Sequence, residues 1–202
     1  MTQLDLPNGY YELPKGRLVN VVTCLEMLQA PGVAAPVWPK GFSLKRCDPD
    51  DLAGYRALFR KVGQDLMWFS RLIMADEKLR AILANSSVAS FTLLDGDEAV
   101  GLLELNFEQA GECELAFFGL VAGKVGQGLG RTLMQEGLAR AWARPISRLW
   151  VHTCHYDHPR ALGFYQASGF KPYAVMVEVH DDPRLSGHLP LRAAPHVPLI
   201  ND

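Results

Sequence analysis

The chain has 202 residues, 49% of them hydrophobic and 21% charged, with a formal net charge of −2. That length supports one substantial domain with its own core. The near-neutral charge, with no basic run or arginine-rich face, argues against a nucleic-acid partner, and no apolar run approaches the roughly 20 residues that cross a bilayer.

Residues 1–41 read as an N-terminal extension punctuated by Pro7, Pro14, Pro31, Pro36 and Pro39, with one strand candidate, RLVNVVTCLEML. An apolar strand left alone in water is an aggregation hazard. This one is expected to add to an edge of the sheet, to pack near Trp68, or to meet a second copy in a homodimer. A main domain is expected over 42–188 and an irregular tail over 189–202. The opening residues show no secretory pattern, which predicts a cytoplasmic protein.

From Phe42 the pattern becomes regular. FSLKRC reads as a strand. Asp48, followed by Pro49, Asp50 and Asp51, predicts a helix start, with the helix running through LAGYRALFRKVGQDL. ADEKLRAIL predicts a second helix. SVASFTLLDGDEAVGLLELNF reads as two strands around the Asp95-Gly96 turn, and ECELAFFGLV as a third. Leu129, Leu133, Leu138 and Trp142 mark a helical stripe closed by Pro145. RLWVHTC predicts a strand, HPRALGFYQASG a helix ending at Gly169, and FKPYAVMVEV a last strand. This alternation implies a mixed α/β fold, a central sheet flanked by helices.

The stretch GKVGQGLGRTLM places four glycines in eight positions directly before a helix. A helix N-terminus presents unpaired N–H groups and a positive dipole end, a seat for phosphate oxygens that side chains would block. A tight strand-to-helix turn with no ligand would also use glycines. Two phosphate loops fail on spacing. The dinucleotide fingerprint G-x-G-x-x-G finds its third glycine one residue early, and the nucleoside-triphosphate loop would need glycine at Val125 and lysine at Arg131.

The surviving pattern, V-G-Q-G-L-G-R, resembles the acetyl-CoA pyrophosphate loop of the GNAT superfamily of N-acetyltransferases, Q/R-x-x-G-x-G/A, with Val125 departing from the usual Gln or Arg. Residues 157–170, DHPRALGFYQASGF, resemble the family's later helix in Ala161, Tyr165, Gly169 and Phe170, with His158 where asparagine is common. The resemblance spans roughly Phe42 to Val179 and implies the GNAT fold, with acetyl-CoA as co-substrate. It implies cofactor binding by Gly119, Leu120 and Val121 at the end of the preceding strand, by Gly126, Gln127, Gly128, Leu129, Gly130 and Arg131 of the loop, and by His158 and Tyr165.

Acetyl transfer needs an anchored thioester, a deprotonated amine, a stabilised oxyanion and a protonated leaving thiolate. The resemblance implies Tyr165 as the acid to the thiolate; packing on the helix face is its other reading. For the base, Glu114 lies fourteen residues before Gly128, a spacing similar to that of the family's protein-lysine-acetylating branch, and Glu104 on the neighbouring strand competes. Both also read as strand carboxylates. The resemblance implies that DLMWFSRLIMAD lines the acceptor site, with Trp68 and Phe69 as an apolar wall and Arg71 as a carboxylate binder; a core aromatic pair and a surface arginine fit equally. His152, Cys154, His155, Asp157 and His158 do not share one face, so no metal is expected. The four cysteines, Cys24, Cys47, Cys113 and Cys154, form no CxxC pair and read as reduced thiols. The function expected is acetyl transfer to a primary amine of a small molecule by direct attack. The alternatives are a protein-amine acetyltransferase and a non-catalytic CoA-binding sensor.

Overall fold

Pairing of apolar runs organises the chain, and a computed structural model describes residues 7–32 and 36–200 of it. Among the described residues there are seven strands: β1 (Arg17–Met27), β2 (Phe42–Arg46), β3 (Val88–Asp95), β4 (Glu98–Asn106), β5 (Glu112–Leu120), β6 (Arg148–Cys154) and β7 (Lys171–Asp181). The helices are α1 (Leu52–Gly63), α2 (Asp76–Ala84), α3 (Leu129–Trp142) and α4 (Ala161–Ala167). The strands form one mixed sheet in the order β2-β3-β4-β5-β6-β1-β7. Only β5 and β6 run parallel, because α3 carries the chain back between them.

Local chemistry explains most boundaries. The β3–β4 hairpin closes with Asp95 opposite Glu98, and Gly96 takes φ +57° in its two-residue turn. The cap of α1 is Asp51, whose carboxylate accepts the Gly54 amide at 2.9 Å, rather than Asp48. Asp48 instead accepts the Asp50 amide and shapes the preceding turn. The helix stops at Gly63, and Gln64–Leu66 forms a separate 3-10 turn that ends on Met67 in a left-handed conformation, φ 59°.

Each face of the sheet is covered by its own helix pair. Leu58, Phe59 and Val62 of α1 and Leu79 and Leu83 of α2 pack on Leu93, Val100 and Leu102. On the opposite face, Leu133, Met134 and Leu138 of α3 and Tyr165 of α4 pack on Leu25, Leu103, Leu105, Leu115 and Leu149.

The expectation that β1 adds to a sheet edge is corrected. It lies inside the sheet, antiparallel to both β6 and β7. Its composition explains the slot: Val22 and Cys24 are buried from one face, and Leu25 and Met27 from the other. A strand covered on both sides reads as a near-continuous apolar run instead of an alternation. The segment after β7 is irregular but anchored. Arg184, 3% exposed, pairs with buried Asp182 and donates to the carbonyls of Ala193, Val197 and Pro198. It thereby packs Leu189, Ala193, Ala194 and Val197 against Met67 and Tyr156. Residues 1–6 and 33–35 of the expected extension, and 201–202 of the expected tail, lie outside the described residues.

Deleting residues 1–28 should therefore strip both β6 and β7 of a partner. The truncated chain is expected to show no cooperative thermal transition by circular dichroism, and a sharp transition would show β1 to be dispensable.

Candidate active site

Strands β5 and β6 stay paired for three residues only, Glu112–Glu114 with Arg148–Trp150. Beyond that point the two strands, nine and seven residues long, share no ladder among the described residues. A bulge helps to part them. Glu104 pairs with Phe117 but Leu105 with Leu115, so β5 carries an extra residue at Ala116. The gap opens at the carboxyl ends of two parallel strands, the place where open α/β sheets bind ligands.

The glycine loop and α3 begin at this opening. Gly126 and Gly128 have φ +87° and +82°, and Gly128 is the N-cap of α3 with no side-chain cap bond. The amides from Gly126 to Gly130 donate no hydrogen bond among the described residues. A Cβ built on Gly126 or Gly128 would meet nothing within 4 Å, so the loop is open at these two positions. Five consecutive free N–H groups at a helix start suit an anion such as a pyrophosphate. The neighbouring side chains turn elsewhere. Gln127 donates back to the Gly123 carbonyl at 2.8 Å, Leu129 is buried, and Arg131 is exposed.

On β5, Gly119 and Leu120 pair with Leu102 and Gly101 of β4, and the Val121 amide donates to Val100 at 2.9 Å. These residues spend one edge on the sheet and leave the other toward the gap. Gly119 also answers a packing need, since a Cβ there would strike Val62 and crowd the Trp68 ring.

Tyr165 is 7% exposed, with Phe118, Phe164 and Phe170 ring centroids 6.3, 5.9 and 6.0 Å away. Its hydroxyl has no hydrogen-bond partner among the described residues. Burial, with the Asp157 carboxylate adding to it, pushes this phenol well above its ordinary range. His158 is exposed and accepts the Arg160 amide at 3.1 Å, which fixes the entry into α4.

The two glutamates differ in kind. Glu104 is fully buried, accepts the Tyr55 hydroxyl at 3.0 Å and forms an ion pair with Arg71 at 2.5 Å. Burial works against the Arg71 charge, but Glu104 outweighs it and holds the guanidinium protonated. Glu114 is half-buried, 3.9 Å from His152, and burial raises its carboxyl above the usual range.

The three acceptor-side expectations separate in the fold. Trp68 packs on Phe59 and Phe117, with ring centroids 5.4 and 5.1 Å away. Phe69 turns into a different cluster with Met67 and Tyr156, its ring 5.5 Å from His180, so the two do not share a wall. Arg71 already holds a carboxylate, that of Glu104.

A cavity of about 620 Å³ lies at the end of β6, lined by Thr23, Thr153, Asp157 and His158, with Asp65 and His196 across it. Sequence reasoning gave no role to Asp157 or His196. Asp157 accepts the Thr153 hydroxyl at 2.7 Å and the Cys154 amide at 3.1 Å, both on one carboxylate oxygen. Its signal was positional, an aspartate between the end of a gap-lining strand and the next helix. Among the described residues, no three His, Cys, Asp or Glu groups are placed to hold a metal ion.

Arg71→Met would leave Glu104 buried without its counter-charge. Losing one member of such a pair costs about 3–5 kcal/mol, read as a lowered midpoint in denaturant melts. An unchanged midpoint would show that Tyr55 alone satisfies Glu104.

Comparison with known proteins agrees with this geometry. The model of the acetyltransferase (GNAT) family matches residues 56–170, more than half of the chain. A GCN5-related N-acetyltransferase from Sphaerobacter thermophilus superposes with a TM-score of 0.58 at 18% identity, over 81% of this chain and 52% of that one. One from Kribbella flavida gives 0.56 at 15% identity, over 85% and 63%. An aminoglycoside acetyltransferase from an uncultured soil metagenomic sample, in complex with sisomicin, gives 0.54 at 19%, over 64% and 88%. The chain thus spans about half to two thirds of the length of the first two. No curated protein matches the sequence. With the family match laid over the parted strands and the glycine-capped helix, the chain belongs to the GNAT acetyltransferase family.

Proposed function

We propose that the protein transfers an acetyl group from acetyl-CoA to a primary amine of a small molecule by direct attack in a ternary complex. The observation that carries this reading is the run of amides from Gly126 to Gly130 that donate to nothing among the described residues, with the loop open at Gly126 and Gly128. Those amides would hold the pyrophosphate, and the free edge of Gly119 to Val121 would hold the pantetheine arm. Acetyl-CoA, when bound, supplies the acetyl thioester.

Tyr165, in the last turn of α4, would give its phenol proton to the departing thiolate. Cys154 is a poor covalent relay. Burial, with the Asp157 carboxylate adding, pushes its thiol up to about 11, so it stays protonated near neutrality. That favours direct attack. The cavity of about 620 Å³ favours a small acceptor over a protein segment, because residues after β7 contribute His196 to its wall.

Two measurements bear on this reading. Acetyl-CoA is expected to raise the melting temperature of the wild-type protein, and Gly128→Val to lose most of that rise by placing a side chain before the amides at a positive φ. An equal rise in the variant would overturn the anion seat. Tyr165→Phe is expected to keep cofactor affinity while turnover falls about ten- to a hundredfold. Unchanged turnover in a chemistry-limited assay would leave Tyr165 as a packing residue.

A further inference from the structure

Asp157 is a half-buried carboxylate in an unusual place. It lies three residues beyond Cys154, the last residue of β6, and lines the cavity. The Thr153 hydroxyl and the Cys154 amide both donate to its Oδ2. The indole N–H of Trp68 is a further donor to the same carboxylate. Three donors from β6 and the segment after α1 thus hold the group in place while it still lines the cavity.

Resting on the acetyl-transfer reading above, we propose that Asp157 is the catalytic carboxylate that binds the ammonium of the acceptor and takes its proton. The other carboxylates suit that role less well. Glu104 is committed to Arg71 and Tyr55, and Glu114 lies along β5 beside Asn106 and Trp150, outside the cavity's lining. The step balances. One N–H proton of the acceptor passes to Asp157, and the freed nitrogen pair forms the C–N bond at the thioester carbonyl. The C–S bond breaks toward sulfur, and the thiolate takes the Tyr165 proton. The second N–H proton restores Tyr165, and Asp157 releases its own to solvent.

The two residues are coupled in the useful direction. Burial holds the Asp157 carboxyl above the ordinary aspartate range, against the opposing Thr153, Cys154 and Trp68 bonds and the nearby His152. The charge on Asp157 in turn raises Tyr165. Protonating Asp157 removes that charge just before Tyr165 must give up its proton. The titratable groups around Asp157 are His152 and Cys154 on β6, His155 and His158 in the following loop, Tyr165 on α4, and Asp65 and His196 in the cavity wall.

The test uses the full chain and an amine that the wild type acetylates. With Asp157→Asn, kcat is expected to fall about a hundredfold and the acidic limb of the pH–rate profile to move to the pKa of the free amine. Calorimetry with that amine, without acetyl-CoA, is expected to show about tenfold weaker binding. Thr153→Val keeps the carboxylate but removes a donor to its charged form, so the acidic limb should move to higher pH. This second variant decides the matter if Asp157→Asn does not fold. An acidic limb that survives Asp157→Asn and vanishes in Glu114→Gln, or amine affinity and limb unmoved in both Asp157→Asn and Thr153→Val, overturns the assignment alone. A wild-type protein that acetylates no amine, although acetyl-CoA raises its melting temperature, overturns the acetyl-transfer reading and the assignment with it.

Discussion

The parting of β5 from β6 after Glu114 and Trp150 sets the geometry of everything around it. Parallel strands that stayed in register would fill their ladder and leave no room between them. Once they part, each presents unpaired backbone groups that need solvent or a ligand. The bulge at Ala116 begins the divergence, and the 3-10 turn at Ala122–Lys124 followed by the glycine loop brings α3 to the opening. One defect in one ladder thus accompanies both the slot and the glycine-capped helix end that opens beside it.

The remaining strands keep that defect from spreading. Because β1 pairs with β6 from Val22 to Met27, β6 retains one complete edge although the other is released. Arg148 strengthens the same junction by bridging Glu26 on β1 and Glu112 on β5, at 2.7 and 2.9 Å. These partly buried ion pairs sit where the two strands are still joined, just before they separate. With the sheet completed by β1, the segment after β7 is free to lie over Met67 and Tyr156 instead.

What the sequence made legible was local. The Asp95-Gly96 turn, the glycine loop and the ends of α3 depend on dihedrals and caps that neighbouring residues dictate. The cap of α1 was ambiguous for the same local reason, since Asp48, Asp50 and Asp51 all qualify and only packing chooses Asp51. The slot of β1 was hidden because pairing between residues more than a hundred positions apart leaves no trace in spacing. Among the side chains, Trp68 and Phe69 are adjacent in sequence yet enter different clusters, because the left-handed Met67 redirects the chain before them. The surroundings of Asp157 were illegible because its donors, Thr153, Cys154 and Trp68, come from separate parts of the chain that only the fold assembles.

Met67 also has a mechanical meaning. A side chain with a β-carbon held at positive φ stores roughly 1–3 kcal/mol, and it persists only while its surroundings over-determine it. Those surroundings are Leu189, Ala193, Ala194 and Val197, clasped in turn by the Asp182–Arg184 pair. The irregular segment therefore acts as a latch on a sprung joint. If heat loosens the latch before the sheet melts, Met67 relaxes and Trp68 loses its fixed place beside Phe117. The aromatic cluster around Trp68 would then loosen at temperatures where the sheet itself is still intact.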